Sequence, residues 1–228
     1  MTGDKPPGRT AVIFGATGAV GGHCLDELLA SERYDRVIAI GRRPTGRTNA
    51  KLSEFTIALD QLHALPATEV GAIDDAFCCL GTTIAAAGSQ DAFRQVDCEL
   101  PRLAARFAKA QGARQFLLVT ALGADPRSAV FYNRVKGDAE AAVIAEGVDS
   151  VAIFRPSLLL ADRAEFRWKE KVSEPLLKAL SVLMIGPARK FRPVSAATVA
   201  RAMVRVAVAP KPGTTIYLSY RIADVGRV

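Results

Sequence analysis

The chain is poor in the residues that build metal centres and disulfide scaffolds. It has two histidines, His23 and His63, and four cysteines, Cys24, Cys78, Cys79 and Cys98. None of them shows zinc-ligand spacing, which argues against a zinc-finger or zinc-enzyme class. Adjacent Cys78 and Cys79 would point to opposite faces of a strand, so they do not readily pair with each other. All four read as reduced, mostly buried thiols. Long apolar runs are missing too. A membrane helix needs roughly 20 such residues, and the best segment, Leu176–Ile185, is interrupted by Lys178 and Ser181. Met1–Thr10 is polar and holds two prolines, unlike a signal peptide, so a cytoplasmic protein is expected. No internal repeat or low-complexity segment is evident, which removes solenoids and fibrous classes.

What is present suits one folded domain. Of 228 residues, 50% are apolar and 23% charged, enough for a sizeable core. The formal charge is +7, with 30 Lys and Arg against 23 Asp and Glu. These basic residues are scattered rather than clustered. That distribution fits an anionic small ligand and predicts no nucleic-acid partner.

Short apolar runs alternate with helical spacing along the chain. Strands are expected at Ala11–Phe14, Arg36–Ile40, Phe55–Leu59, Ala76–Leu80, Gln115–Thr120 and Ser150–Phe154. Helices are expected at Val20–Ala30, Asp91–Ala110 (interrupted by Pro101) and Val130–Glu146. Near-continuous apolar strands alternating with helices predict an α/β fold, a doubly wound parallel sheet covered on both faces. After Pro156 the character changes. Glu170–Ile185 and Ala196–Ala209 look helical, and Thr214–Ser219 looks like a late strand. The expectation is a single domain over 1–228. Residues 10–155 form its dinucleotide-binding core, and 156–228 form a short C-terminal helical cap that carries substrate specificity.

The strongest local signal is Gly15-Ala16-Thr17-Gly18-Ala19-Val20-Gly21-Gly22, between a strand and a helix. Gly15 permits a tight turn, Gly18 a close backbone approach to a diphosphate, and Gly21 close helix–sheet packing. Gly15, Thr17, Gly18, Ala19, Val20 and Gly21 are therefore candidate cofactor contacts. The second strand ends in Gly41-Arg42-Arg43-Pro44, where a carboxylate would select NAD(H). Arg42 and Arg43 suit a ribose 2′-phosphate instead, so NADP(H) is expected in preference to NAD(H). Asp60, after the third strand, is a candidate for the adenine amino group or a helix N-cap. Tyr132 and Lys136 lie four apart on one helix face. A fixed ammonium stabilises a nearby phenolate and prepares the tyrosine as an acid or base.

Gly15-x-x-Gly18-x-x-Gly21 with Tyr132-x-x-x-Lys136 resembles the short-chain dehydrogenase/reductase superfamily, whose fold is the Rossmann fold. Finer matches resemble its atypical branch, the Tat-interacting-protein-like oxidoreductases. They are Cys78-Cys79-Leu80-Gly81-Thr82-Thr83, Val96-Asp97, Gly123-Ala124-Asp125, Tyr132–Gly137 and Phe154-Arg155-Pro156 followed by Asp162-Arg163. The resemblance implies a Tyr132–Lys136 pair at the nicotinamide and a catalytic hydroxyl on Thr120. It also implies cofactor contacts from Leu80, Gly81, Thr82, Thr83, Arg155 and Pro156, with Lys136 on the nicotinamide ribose. Two departures stand out. The branch usually has two serines where this chain has Thr120-Ala121, and Asp97 replaces an asparagine common in the superfamily. The leading expectation is an NADP(H)-dependent oxidoreductase acting on a small carbonyl or alcohol. A redox-sensing or protein-interaction module with little catalysis is the alternative. A nucleotide-sugar epimerase or dehydratase ranks below both, because such enzymes usually have a larger C-terminal region. Oligomeric state is open, a homodimer among the options.

Overall fold

The computed structural model describes residues 8–157, 159–160 and 193–227. Seven strands form one wholly parallel sheet: β1 (Arg9–Phe14), β2 (Tyr34–Gly41), β3 (Leu52–Thr56), β4 (Asp75–Cys78), β5 (Gln115–Val119), β6 (Ser150–Arg155) and β9 (Gly213–Leu218). Their order is β3-β2-β1-β4-β5-β6-β9, a doubly wound Rossmann arrangement. Two short strands, β7 (Leu159–Leu160) and β8 (Val194–Ser195), pair separately. The central strands are buried along their length, which is why they read as continuous apolar runs.

Side-chain alternation divides the core in two. Ala11, Ile13, Val37, Ala39, Phe77 and Phe154 face helix α1 (Ala19–Ala30) and the later helix α7 (Ala196–Ala207). Val12, Phe14, Ile38, Ile40, Cys78 and Phe116 face the opposite way. There they meet a 3-10 helix (Leu59–Ala64), α2 (Ala67–Val70) and α5 (Leu100–Ala110). The described part of the last third therefore completes the fold: α7 covers one face of the sheet and β9 extends its edge. Residues Glu170–Ile185, expected as a helix, lie outside the described residues.

Two boundaries differ from expectation. β3 lies three residues earlier than the apolar run suggests, because Leu59 and Leu62 turn inward from the 3-10 helix instead of extending the strand. Residues 90–110 run as α4 (Gln90–Arg94), a π-helical turn (Gln95–Glu99) and then α5. Pro101 falls in the first turn of α5, where its missing donor does little harm. Preceding them is the single-turn α3 (Ile84–Ala87). Helix α6 (Phe131–Ala145) follows β5, and α8 (Ser219–Val225) closes the described chain.

The cysteines are free, with Cys24, Cys78 and Cys98 buried. Burial pushes Cys78 up to about 12 and Cys98 up to about 11, against an ordinary 9.0. Tyr34 is also pushed up, by burial first and then by the Asp75 carboxylate that accepts its hydroxyl at 2.8 Å. Above pH 9 the unfolded chain releases these thiol protons while the folded chain retains them. The stability they contribute is complete below pH 9 and falls as pH rises toward 12. The loss is about 1.4 kcal/mol per pH unit for one such thiol. Cys78→Ala should therefore flatten the decline in urea stability between pH 9 and 11, relative to wild type. Parallel declines would contradict this.

Candidate active site

In a parallel sheet every strand ends at one edge. Between β1 and β4 the connections leave in opposite directions, opening a crevice at that edge. Gly15 follows β1 there with φ +82°, and a Cβ on it would meet the Cys79 carbonyl oxygen at 2.7 Å. The Gly18 amide donates to the Gly15 carbonyl at 3.0 Å. Gly18 is also the N-cap of α1 and supplies no side-chain cap, so the helix's first amides remain available to an anion. A Cβ on Gly21 would sit 2.0 Å from the Gly15 carbonyl oxygen. Bare backbone, free amides and a helix N-terminus together fit a dinucleotide diphosphate.

The crevice continues along the ends of β2 and β3. It is lined by Gly15–Gly18, Gly41, Arg42, Arg43, Glu54, Leu80 and Gly81, with Val96 and Leu100 behind. Arg42 and Arg43 are exposed, and the Arg43 guanidinium reaches back to the Thr17 hydroxyl at 3.4 Å. Glu54 escaped the sequence reading. Its carboxylate accepts from the Thr45 amide at 2.8 Å. Only the register of β3 against β2, pairing Glu54 with Ala39, shows that it reaches the crevice. Ala19 opens α1, while Val20 is buried in the core beneath the loop. Asp60 is not among the residues lining this crevice. It is exposed in the 3-10 helix, one residue past Leu59 at the crevice, and stands beside a different groove against α5.

Beyond Gly81 stands α6. Tyr132, Lys136 and Glu140 form one stripe of this helix, spaced i, i+4, i+8. The Tyr132 ring packs on Phe93 at 5.6 Å between centroids. The Lys136 ammonium lies 6.0 Å from the Tyr132 ring centroid. It is 5% exposed and pairs with buried Asp97 at 2.6 Å. Asp97 in turn accepts from the Thr82 amide at 2.9 Å. Thr83 caps α3 through a bond from the Ala86 amide. A Cβ on Gly137 would strike the Asp125–Pro126 backbone at 2.2 Å, so this glycine lets the loop after β5 lie against α6.

Thr120 departs from its expected role. Its hydroxyl donates to Glu140 Oε1 at 2.6 Å, and Glu140 also takes two bonds from Arg155, at 2.9 and 2.5 Å. A threonine has one hydroxyl proton, and here it is engaged in a buried clamp between β5, β6 and α6. Thr120 has no second proton with which to orient a carbonyl oxygen, and Ala121 has no hydroxyl. The Arg155 guanidinium is likewise committed to the fold. The Pro156 carbonyl accepts from the Leu122 amide, tying the loops after β5 and β6 together. Glu140 was missed in the sequence, although a carboxylate on the stripe of Tyr132 and Lys136 was the available sign.

Fold and crevice together define a dinucleotide-binding Rossmann protein. A family described as NAD(P)H-binding matches residues 15–210. The rat protein HTATIP2 is 34% identical over 216 residues, covering 92% of this chain and 85% of that protein. Protein FMP52-1, mitochondrial, of Scheffersomyces stipitis is 34% identical over 174 residues, covering 76% of this chain and 74% of its own. The chain belongs to the NAD(P)H-binding family, in the atypical, Tat-interacting-protein-like branch of the short-chain dehydrogenases/reductases. Among solved structures, MoeE5 with UDP-glucose and NAD superposes with a TM-score of 0.66 at 16% identity. The match covers 91% of this chain and 74% of that one. WbmH of Bordetella bronchiseptica with NAD+ gives 0.66 at 18% identity, covering 92% and 76%. At these identities the likeness is one of fold. The comparisons overturn the cytoplasmic expectation, because the fungal relatives are named mitochondrial. A polar start with two prolines does not distinguish cytosol from organelle. Among the described residues no helix is long and apolar enough to cross a membrane.

Proposed function

We propose that the protein is an NADP(H)-dependent oxidoreductase acting on a small carbonyl or alcohol. The observation that carries this is the Tyr132–Lys136 stripe on α6, next to a Gly81 edge that a dinucleotide would reach. A bound nicotinamide would supply the hydride in reduction and accept it in oxidation. Tyr132 holds the substrate oxygen and gives it a proton in reduction, or takes one in oxidation. Lys136 holds positive charge beside that phenol and, through its ammonium, the nicotinamide ribose. The test is NADPH consumption over a panel of aldehydes, ketones and quinones. Turnover of at least one class is expected. Tight NADPH binding without turnover across the panel would contradict catalysis. It would favour instead a dinucleotide-responsive binding module, a reading supported by the engaged Thr120 hydroxyl and by Ala121.

The preference for NADP(H) rests on Arg42 and Arg43. They are two exposed guanidiniums at the β2 end of the crevice, and one reaches the glycine loop. Forked, charge-assisted bonds to a 2′-phosphate are the strong kind. The double variant Arg42→Ala, Arg43→Ala should weaken NADPH binding about a hundredfold, roughly 2.7 kcal/mol, and leave NADH binding within threefold. Equal loss for both cofactors would contradict the assignment.

A further inference from the structure

Asp97 is the most deeply buried charged group in the site, and the proposed chemistry leaves it without a task. It is 1% exposed. One carboxylate oxygen lies 2.6 Å from the Lys136 ammonium and the other accepts from the Thr82 amide. The two charges come together at Gly81. A Cβ there would stand 3.5 Å from Asp97 Oδ1 and 3.6 Å from Lys136 Nζ. Carboxylate, ammonium and the Gly81–Thr82 backbone therefore form one compact knot, and Gly81 is also a wall of the crevice. The π-helical turn Gln95–Glu99 presents Asp97 to this knot, and such turns in helices are often found at functional sites.

A lysine side chain has four rotatable bonds, and a buried ammonium without a counter-ion is costly. An asparagine at 97 would offer an acceptor but leave the charge uncompensated. The carboxylate holds Nζ at 2.6 Å as an ion pair, and the N–H bonds of the ammonium remain for acceptors in the crevice. We propose that Asp97 is a positioning residue that acts through Lys136. It anchors the ammonium at the Gly81–Thr82 edge, where the ribose hydroxyls of the dinucleotide meet it. This rests on the NADP(H) reading above.

The test is a fluorescence titration with NADPH of four proteins: wild type, Asp97→Asn, Lys136→Met and the double variant. Melting temperatures are measured alongside. Asp97→Asn should bind NADPH about tenfold more weakly, about 1.4 kcal/mol, and so should Lys136→Met. The double variant should bind within twofold of Lys136→Met, because Asp97 has nothing left to position. A purely structural aspartate would cost affinity equally in both backgrounds, and that result overturns the proposal. Wild-type affinity in Asp97→Asn also overturns it. If Asp97→Asn does not fold, Asp97→Glu decides. It retains the charge and should bind within threefold of wild type, and a tenfold loss overturns the proposal. Wild-type protein that binds no NADPH would remove the cofactor reading itself. That result is distinguishable from a wild type that binds while its variants fail the pattern.

Discussion

Alanine at Gly21 is expected to abolish high-affinity dinucleotide binding. The added Cβ would lie 2.0 Å from the Gly15 carbonyl oxygen and 2.7 Å from its carbonyl carbon. These are backbone atoms and cannot rotate away. Helix α1 cannot easily withdraw, because Cys24, Leu25 and Leu28 are buried in the core shared with α7. The glycine loop must move instead, carrying the Gly18 amide and the start of α1 out of line. Such overpacking costs about 1–3 kcal/mol of stability. NADPH affinity should fall at least about a hundredfold, roughly 2.7 kcal/mol. Gly22→Ala is the matched control. Its Cβ would find its nearest neighbour, the Ala16 carbonyl oxygen, at an ordinary 3.7 Å, so binding should stay near wild type. A folded Gly21→Ala protein that binds NADPH within threefold of wild type would contradict this account of the loop.

The second large effect is expected at Tyr132. Phenylalanine there keeps the packing on Phe93, and the Tyr132 hydroxyl bonds no other described side chain. Fold and NADPH affinity should therefore be retained. Turnover should fall by about 10²–10⁴, the usual contribution of one positioned acid or base. Thr120→Val is the informative contrast. Its hydroxyl serves the Glu140–Arg155 clamp and not a substrate, so turnover should stay within about threefold. A Tyr132→Phe protein with unchanged turnover would remove Tyr132 from the chemistry. A Thr120→Val protein as damaged as Tyr132→Phe would restore the hydroxyl to the role first expected of it.

The glycine loop, the two arginines and the Tyr–Lys stripe were legible because each is local. Gly15, Gly18 and Gly21 act on one another within seven residues, and Tyr132 faces Lys136 one helical turn away. What escaped depends on distant partners. The resemblance gave Thr120 a catalytic hydroxyl, and its engagement was hidden because Glu140, which takes its proton, lies on the next helix. Asp60 followed an apparent strand, yet it falls in a 3-10 helix whose Leu59 and Leu62 turn inward, and its side chain stands beside a different groove. The π turn at Gln95–Glu99 adds a residue to one helical turn without any marker in composition. Segment 213–218 was legible as a strand, but its parallel place beside β6 depends on a chain path that local pattern does not encode.

The central claim is that the β1–β4 crevice holds NADP(H), with the Gly15–Gly21 loop on the diphosphate and Arg42 and Arg43 on the 2′-phosphate. Fluorescence titration of the purified wild-type protein with NADPH and, separately, NADH tests it most directly. The account predicts saturable NADPH binding, with NADH at least about tenfold weaker, a difference of about 1.4 kcal/mol. Binding of neither, or NADH bound as tightly as NADPH, would contradict it.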